Sequence, residues 1–346
     1  ARIDGDAAVS VLTGHLEDPT GYGRIIRGAD GQILEIREQK DLSRGQDHIR
    51  EVNLGVYTFE SSFLTRELPG IGSDNAQGEY YLTDVVAAAR QAGELVEALL
   101  IDHVEEAMGI NDQVQLAEAG RVMRKRINEA HQHAGVSLID PAATYIDADV
   151  TIGTGTVIHP GVHLRGRTRI GSGCEIEPGA VVTDCTIGDN VHIKPGSVLS
   201  ESTVGNDCAI GPMAHLRPGT VLDGNNKIGN FVETKKAVIG EKSQASHLTY
   251  IGDASLGKNV NVGCGTITCN YDGVNKHQTT IGDDVFVGSD VQFVAPVTIG
   301  RGSLIGAGST ITMDVPADAL AISRVEQKNI AGWAEKNRQK QKKNKK

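Results

Sequence analysis

His247, in the run Ser246-His247-Leu248-Thr249-Tyr250, is the natural proton acceptor of this chain, because imidazole is the side chain that titrates near neutral pH without help. A single histidine more often packs than reacts, so its neighbours decide the matter. Arg217, in Arg217-Pro218-Gly219, and the pair Lys235-Lys236 lie upstream; Asn261, Asn270 and Lys276 follow downstream. Cations around a base suit an anionic substrate such as a sugar phosphate. Acyl transfer to an amine would need such a base, an anion-binding patch, donors for the thioester oxyanion and a channel for the acyl carrier. The other histidines of this region (His159, His163, His192, His215) read as surface residues. The sequence shows no cluster with metal-ligand spacing, no G-x-S-x-G and no Walker loop.

These residues need a scaffold that brings distant positions together, and the sequence supplies one in a period of six. Ile146, Ile152, Ile158, Leu164, Ile170, Ile176 and Val182 stand in register. The pattern slips by one at Ile187 and again at Val204, continues through Ile210, Leu216, Leu222 and Ile228, and locks again from Ile281 to Ile311. Six fits neither a helix nor a simple strand. It fits a parallel β-helix in which each hexad gives one short strand and one corner, and three hexads complete a coil with its aliphatic residues inward. Glycine often follows the inward residue, as at Gly153, Gly171, Gly188 and Gly205, because a corner either demands positive φ or leaves no room for a Cβ. The segment 268–280 (TCNYDGVNKHQTT) breaks the period and must loop out; its Asn270, Tyr271, Asn275 and Lys276 mark it as functional.

Ahead of the repeats, residues 1–112 alternate strand-like stretches (Ala8 to Leu12, Ile33 to Arg37, Asn53 to Phe59) with a helix expected over Tyr81 to Ala92. Residues 113–134 read as one connecting helix, with Leu116, Ala119, Met123, Ile127 and Ala130 on its apolar side, Asp112 as N-cap and Gly135 as stop. The β-helix is expected over 135–325 and a basic, irregular tail over 326–346. That tail concentrates charge: residues 336–346 carry seven cations, so the formal net charge of -10 leaves about -17 on the remainder. So acidic a body argues against nucleic acid as a partner. Five cysteines without a CxxC pair favour a reducing, cytoplasmic setting, and the absence of a long apolar run argues against a membrane. The chain starts without Met and enters directly into a strand, which reads as a piece of a longer protein.

The strings HLRPGT, GNFVETKKAVIG, SHLTYIGDASLGKNVNVGCGTITCNYDGVNK, TIGDDVFVGSDVQFVAPVTIG and ALAISR closely resemble the bifunctional bacterial N-acetylglucosamine-1-phosphate uridyltransferase/glucosamine-1-phosphate acetyltransferases; PTGYGRI, EVNLGVY, NAQGEYYLTDVV and GIND extend the resemblance through 1–112. The resemblance implies a mainly β chain: a left-handed parallel β-helix of hexapeptide repeats, preceded by a truncated α/β, Rossmann-like nucleotidyltransferase domain and a connecting helix. It implies acetyl transfer from acetyl-CoA to the amine of glucosamine 1-phosphate, with His247 as proton acceptor. Arg217, Lys235 and Lys276 would hold the phosphate, and Tyr250, Asn261 and Asn270 the sugar. Cys264, Asn270, Tyr271, Ser289, Ala307 and Arg324 would line the acetyl-CoA channel, Cys264 standing where the family usually has Ala. For uridyl transfer from UTP, Gly23, Glu38, Asn53 and Asn111 match substrate positions, Asn111 as one ligand of Mg2+. The glycine-rich loop, its Arg and Lys, and the magnesium-binding Asp of that half fall upstream of Ala1, so the 346 residues alone are expected to lack uridyl transfer while a full-length parent has it. A homotrimer with sites between neighbouring coils is implied. The alternative is a sugar-nucleotide pyrophosphorylase whose β-helix serves assembly only.

Overall fold

A computed structural model describes residues 7–343; the first six residues and the last three of the basic tail lie outside the described residues. The chain divides into two compact units, Ala1–Met123 and Arg124–Lys346. In the first, five strands form a mixed sheet in the order β3-β2-β4-β1-β5: β1 (Val9–His15), β2 (Arg24–Arg27), β3 (Ile33–Arg37), β4 (Glu51–Phe59) and β5 (Val96–Leu100). β1 runs antiparallel to β4 and parallel to β5. Helices α1 (Ser61–Glu67) and α2 (Asp84–Gln91) cover it, with Phe63, Val85, Val86 and Ala89 packed on Val9, Val11, Ile25 and Ile36.

The helix expected at 113–134 is α3 (Gln113–His133). Asp112 Oδ1 accepts from the Gln115 N–H at 2.8 Å, and Gly135 takes φ +89°, the cap and stop the sequence suggests. Its apolar row is not a buried one: Leu116 and Met123 are exposed. The buried residue is Asn128, whose Nδ2 donates to the Pro141 and Thr144 carbonyls at 2.7 and 3.1 Å. Polar tethering to the first turn of the coil, with Ile127 partly buried on its core, fixes the end of α3 there.

The second unit is the left-handed parallel β-helix of hexapeptide repeats. Short strands pair in parallel with the strand one coil later, three strands on along most of the chain, so the coil has three faces. On the first face Ile158, Ile176, Ile193, Ile210 and Ile228 stack; on the second, Leu164, Val182, Leu199 and Leu216; on the third, Ile170, Ile187, Val204 and Leu222. All are buried in one continuous core, and each contributes on the order of 1.5–3 kcal/mol by leaving water. Two threonines interrupt the second row: Thr234 and Thr268 point inward, while Ile267 is exposed. Thr268 is accommodated because its Oγ1 exchanges hydrogen bonds with Gly252, accepting from N at 2.8 Å and donating to O at 3.0 Å.

Between the two reasons for glycine after the inward residue, the structure selects close approach. Gly171 does not have positive φ; a Cβ on it would stand 2.6 Å from the Gly188 carbonyl carbon on the next coil. The lysine-rich tail is helical from Trp333 to Lys343 rather than irregular, as its strong helix formers favour.

Candidate functional site

The corners of the coil place the chemistry. Two residues past each inward residue of the first face comes a column of Pro160, Pro178, Pro195 and Pro212, continued by Asn230, His247, Cys264, Ser289 and Ala307. The prolines give way to side chains that can do chemistry at Asn230. His247 is exposed on this edge, and its Nδ1 lies 2.9 Å from Asn230 Oδ1 on the preceding coil. Cys264, Ser289 and Ala307 are also exposed, and Arg324 Nη1 reaches the Ala307 carbonyl at 2.5 Å. Cys264, Ser289, Ala307 and Arg324, the positions expected to line acetyl-CoA, thus form one strip running from His247.

Across the second face lies the other edge. Here Arg217 and Lys235 occupy equivalent places, one residue beyond Leu216 and Thr234. Strands Lys227–Ile239 and Gln244–Leu256 run side by side around this corner, pairing Asn230 with His247, Glu233 with Tyr250 and Lys235 with Gly252. Arg217 Nη1 binds Glu233 Oε1 at 2.7 Å. The Lys276 ammonium, delivered by the 268–280 loop, sits against that of Lys235 and pushes its pKa down, with the Arg217 charge adding to the effect and Asp253 opposing it. Three cations so gathered repel one another, and a phosphate dianion relieves that repulsion.

Asn270 ties the loop to the coil: its Nδ2 donates to Asp253 Oδ2 at 2.5 Å and approaches the Tyr250 hydroxyl at 3.5 Å. The loop closes on itself at Asp272, whose Oδ1 accepts from Val274 and Asn275 N–H groups at 2.8 and 2.6 Å and whose Oδ2 lies 2.7 Å from His277 Nε2. The Asn275 amide above all, then the His277 side chain, lowers the Asp272 carboxyl pKa to about 2.

The structure therefore joins Arg217, Lys235 and Lys276 in one group, and Tyr250 with Asn270 in another beside it. His247 stands on the opposite edge of the same narrow face, five residues along the strand from Gly252, or about 16 Å of extended backbone. Two positions lie apart: Asn261 is on the first face, where its Oδ1 accepts from Gln244 at 3.0 Å, and Tyr271 projects with the loop, its hydroxyl donating to the Gly273 carbonyl at 2.6 Å. Asn230, Glu233 and Asp253 were not singled out by sequence; the 17-residue offset from Asn230 to His247 is the signal that finds the first.

In the first unit, Gly23, Glu38 and Asn53 gather at the β2–β3–β4 edge. The Asn53 N–H donates to the Gly23 carbonyl at 2.9 Å, and a Cβ on Gly23 would stand 3.4 Å from the Glu38 carboxylate. Asn111 is exposed, and its N–H donates to Gln115 Oε1 at 2.6 Å at the start of α3. Among the described residues no group of three or more His, Cys, Asp or Glu side chains is arranged to hold a metal ion. Nor, among those residues, is any helix long and apolar enough to cross a membrane.

Comparison with known proteins adds the family. The GMPPB C-terminal domain profile matches residues 137–230, and the bacterial transferase hexapeptide profile (six repeats) matches 278–312. The bifunctional protein GlmU of Syntrophotalea carbinolica is 65% identical over 327 residues, covering 94% of this chain and 70% of that protein. Its namesake from Listeria monocytogenes serotype 4a is 50% identical, covering 95% of this chain and 72% of the relative. Among solved structures, a UDP-N-acetylglucosamine acyltransferase from Campylobacter jejuni aligns over 53% of this chain and 70% of its own with 20% identity and a TM-score of 0.37, a level from which no functional likeness follows. Identity of this extent, over nearly the whole chain and more than two thirds of its relatives, decides the matter: the chain belongs to the family of the bifunctional protein GlmU.

Proposed function

We infer that this chain transfers the acetyl group of acetyl-CoA to the amine of glucosamine 1-phosphate, giving N-acetylglucosamine 1-phosphate, and that its family's second activity is uridyl transfer from UTP to that product. The observation carrying the acetyl-transfer reading is the meeting of Lys235 and Lys276 beside Arg217, on the same face of the coil as His247. In this reading the three cations hold the phosphate. Tyr250 and Asn270 orient the sugar, with Asn261 contributing from the first face. His247 Nε2 takes a proton from the amine as the amine nitrogen bonds to the acetyl carbon; the carbon–sulfur bond breaks, and the departing CoA thiolate takes that proton from the imidazolium. The strip Cys264, Ser289, Ala307 and Arg324 lies along the bound CoA, with Asn270 and Tyr271 at its side. Neighbouring copies in a homotrimer close the exposed edge around His247. Magnesium belongs to the uridyl-transfer half, through Asn111, and no step of acetyl transfer passes through it. The five free cysteines fit a reducing cytoplasm.

Thiol release from acetyl-CoA, followed with and without glucosamine 1-phosphate, tests the reading directly. Release that depends on the sugar phosphate is expected, and His247→Ala should lower kcat on the order of 10²–10⁴-fold. No sugar-dependent release by the folded protein would sink the function; full kcat in His247→Ala would sink the base.

A further inference from the structure

We propose that Asn230 is a positioning residue for His247: a neutral amide that fixes which imidazole nitrogen is left free to accept the proton. This rests on the reading of His247 as the base. The amide oxygen stands 2.9 Å from Nδ1, so Nδ1 must carry its hydrogen to make the bond, which leaves the Nε2 lone pair for the amine.

The pair is held by backbone and not by chance rotamers. Asn230 and His247 are direct partners in the parallel ladder, and Gly229, next to Asn230, approaches Ser246, next to His247, so closely that a Cβ on Gly229 would stand 1.8 Å from the Ser246 carbonyl oxygen. Thr249 Oγ1 donates to the His247 carbonyl at 2.7 Å, and the Leu248 carbonyl accepts from the Gly265 N–H at 2.8 Å, pinning the far side of the corner. The run of prolines ends where this pair begins, so Asn230 is the first side chain after them able to accept a hydrogen bond.

An amide in this place has a consequence that a carboxylate would not. It orients the ring without placing a negative charge beside it. On the rungs about His247 the titratable residues are Cys264 one coil on and, three residues along the paired strands, Tyr250 and Glu233, the last ion-paired with Arg217.

Steady-state kinetics of the full chain against pH separate this role from a structural one. Asn230→Ala should lower kcat about ten- to a hundredfold, part of what a positioned base supplies, with KM for both substrates and the melting temperature little changed. Asn230→Asp should restore the orientation and, by facing the ring with a carboxylate, move the acid limb of the kcat profile up by roughly one pH unit, so that activity recovers as pH rises. An acid limb in Asn230→Asp that coincides with wild type, or full kcat in Asn230→Ala, would overturn the assignment while His247→Ala stays inactive. Should His247→Ala itself stay active, the underlying reading fails instead.

Discussion

From Ile158 onward two corners of the coil keep one length, and the third varies. From Ile158 onward, the step from the first face to the second is six residues every time: Ile158 to Leu164, Ile193 to Leu199, Ala245 to Ile251, Ile305 to Ile311. From the third face to the first it is also six throughout, as from Ile187 to Ile193 and from Leu256 to Val262. The step from the second face to the third is six at Leu164 to Ile170, Leu216 to Leu222 and Phe293 to Ile299, five at Val182 to Ile187, Leu199 to Val204, Thr234 to Ile239 and Ile251 to Leu256, thirteen at Thr268 to Ile281 and four at Ile311 to Val315. Arg217, Lys235 and Lys276 all belong to that third corner, whereas the His247 column belongs to a constant one. The coil thus keeps one edge stiff for the base and leaves the other free to collect ligands of varied reach. Stiffness has a visible cause, since at Gly171 and Gly229 the next coil's backbone touches where a Cβ would be.

The largest expected effect breaks the comparison or establishes it. One alanine inserted between Ile193 and Leu199, at a constant corner, shifts the inward row on both sides and should cost more than about 4 kcal/mol, the range reserved for a broken core. The same insertion between Val182 and Ile187 turns a five-residue step into the six used elsewhere at that corner and should cost no more than about 1 kcal/mol. Thermal melting followed by circular dichroism measures both; equal losses would mean the variable corner is no more tolerant than the others. Next in size is Gly171→Ala. With the Gly188 carbonyl carbon 2.6 Å from the new methyl, a rigid neighbour cannot yield cheaply, and a loss of about 1–3 kcal/mol is expected in the same assay. Unchanged stability would show that the coils can slide apart at this edge.

The same contrast explains what was legible in the sequence. Rows such as Ile158–Ile176–Ile193–Ile210 announce themselves, because a stacked interior admits only residues of one kind at one spacing. The slips at Ile187 and Val204 are visible too, and they mark the variable corner before any coordinates do. Thr268 escapes the pattern because its hydroxyl is satisfied by Gly252, a backbone partner that no periodicity reveals. Asn230 escapes for another reason: an amide has no reactivity of its own, and only its place one coil from His247 gives it a use. In α3 the apolar repeat misleads, since Asn128 and not Met123 is buried; the residue that anchors the helix does so by hydrogen bonds to the Pro141 and Thr144 carbonyls. The meeting of Lys276 with Lys235 depends on how a loop folds back, which spacing cannot convey.

The smallest effect concerns that loop. Asp272 closes it, and its carboxyl is held at about 2, chiefly by the Asn275 amide and then by His277. A carboxyl with a lowered folded value stabilises the closed form fully above its unfolded value, near 4, and loses that contribution as pH falls through about 2. The Val274 and Asn275 amide signals in a nuclear magnetic resonance titration should therefore hold steady from neutrality to about pH 4 and move below it; movement centred well above 4 would deny Asp272 this role. At neutral pH, Asp272→Ala removes the acceptor outright. Losing the acceptor of the Val274 and Asn275 N–H groups and the partner of His277 should raise KM for glucosamine 1-phosphate roughly fivefold, because the loop no longer presents Lys276 to Lys235 in one place. The melting temperature should stay put, since the loop lies outside the stacked interior. A fall in melting temperature with KM unchanged would reverse the assignment, making the thirteen-residue step a structural brace and leaving the phosphate to Arg217 and Lys235 alone.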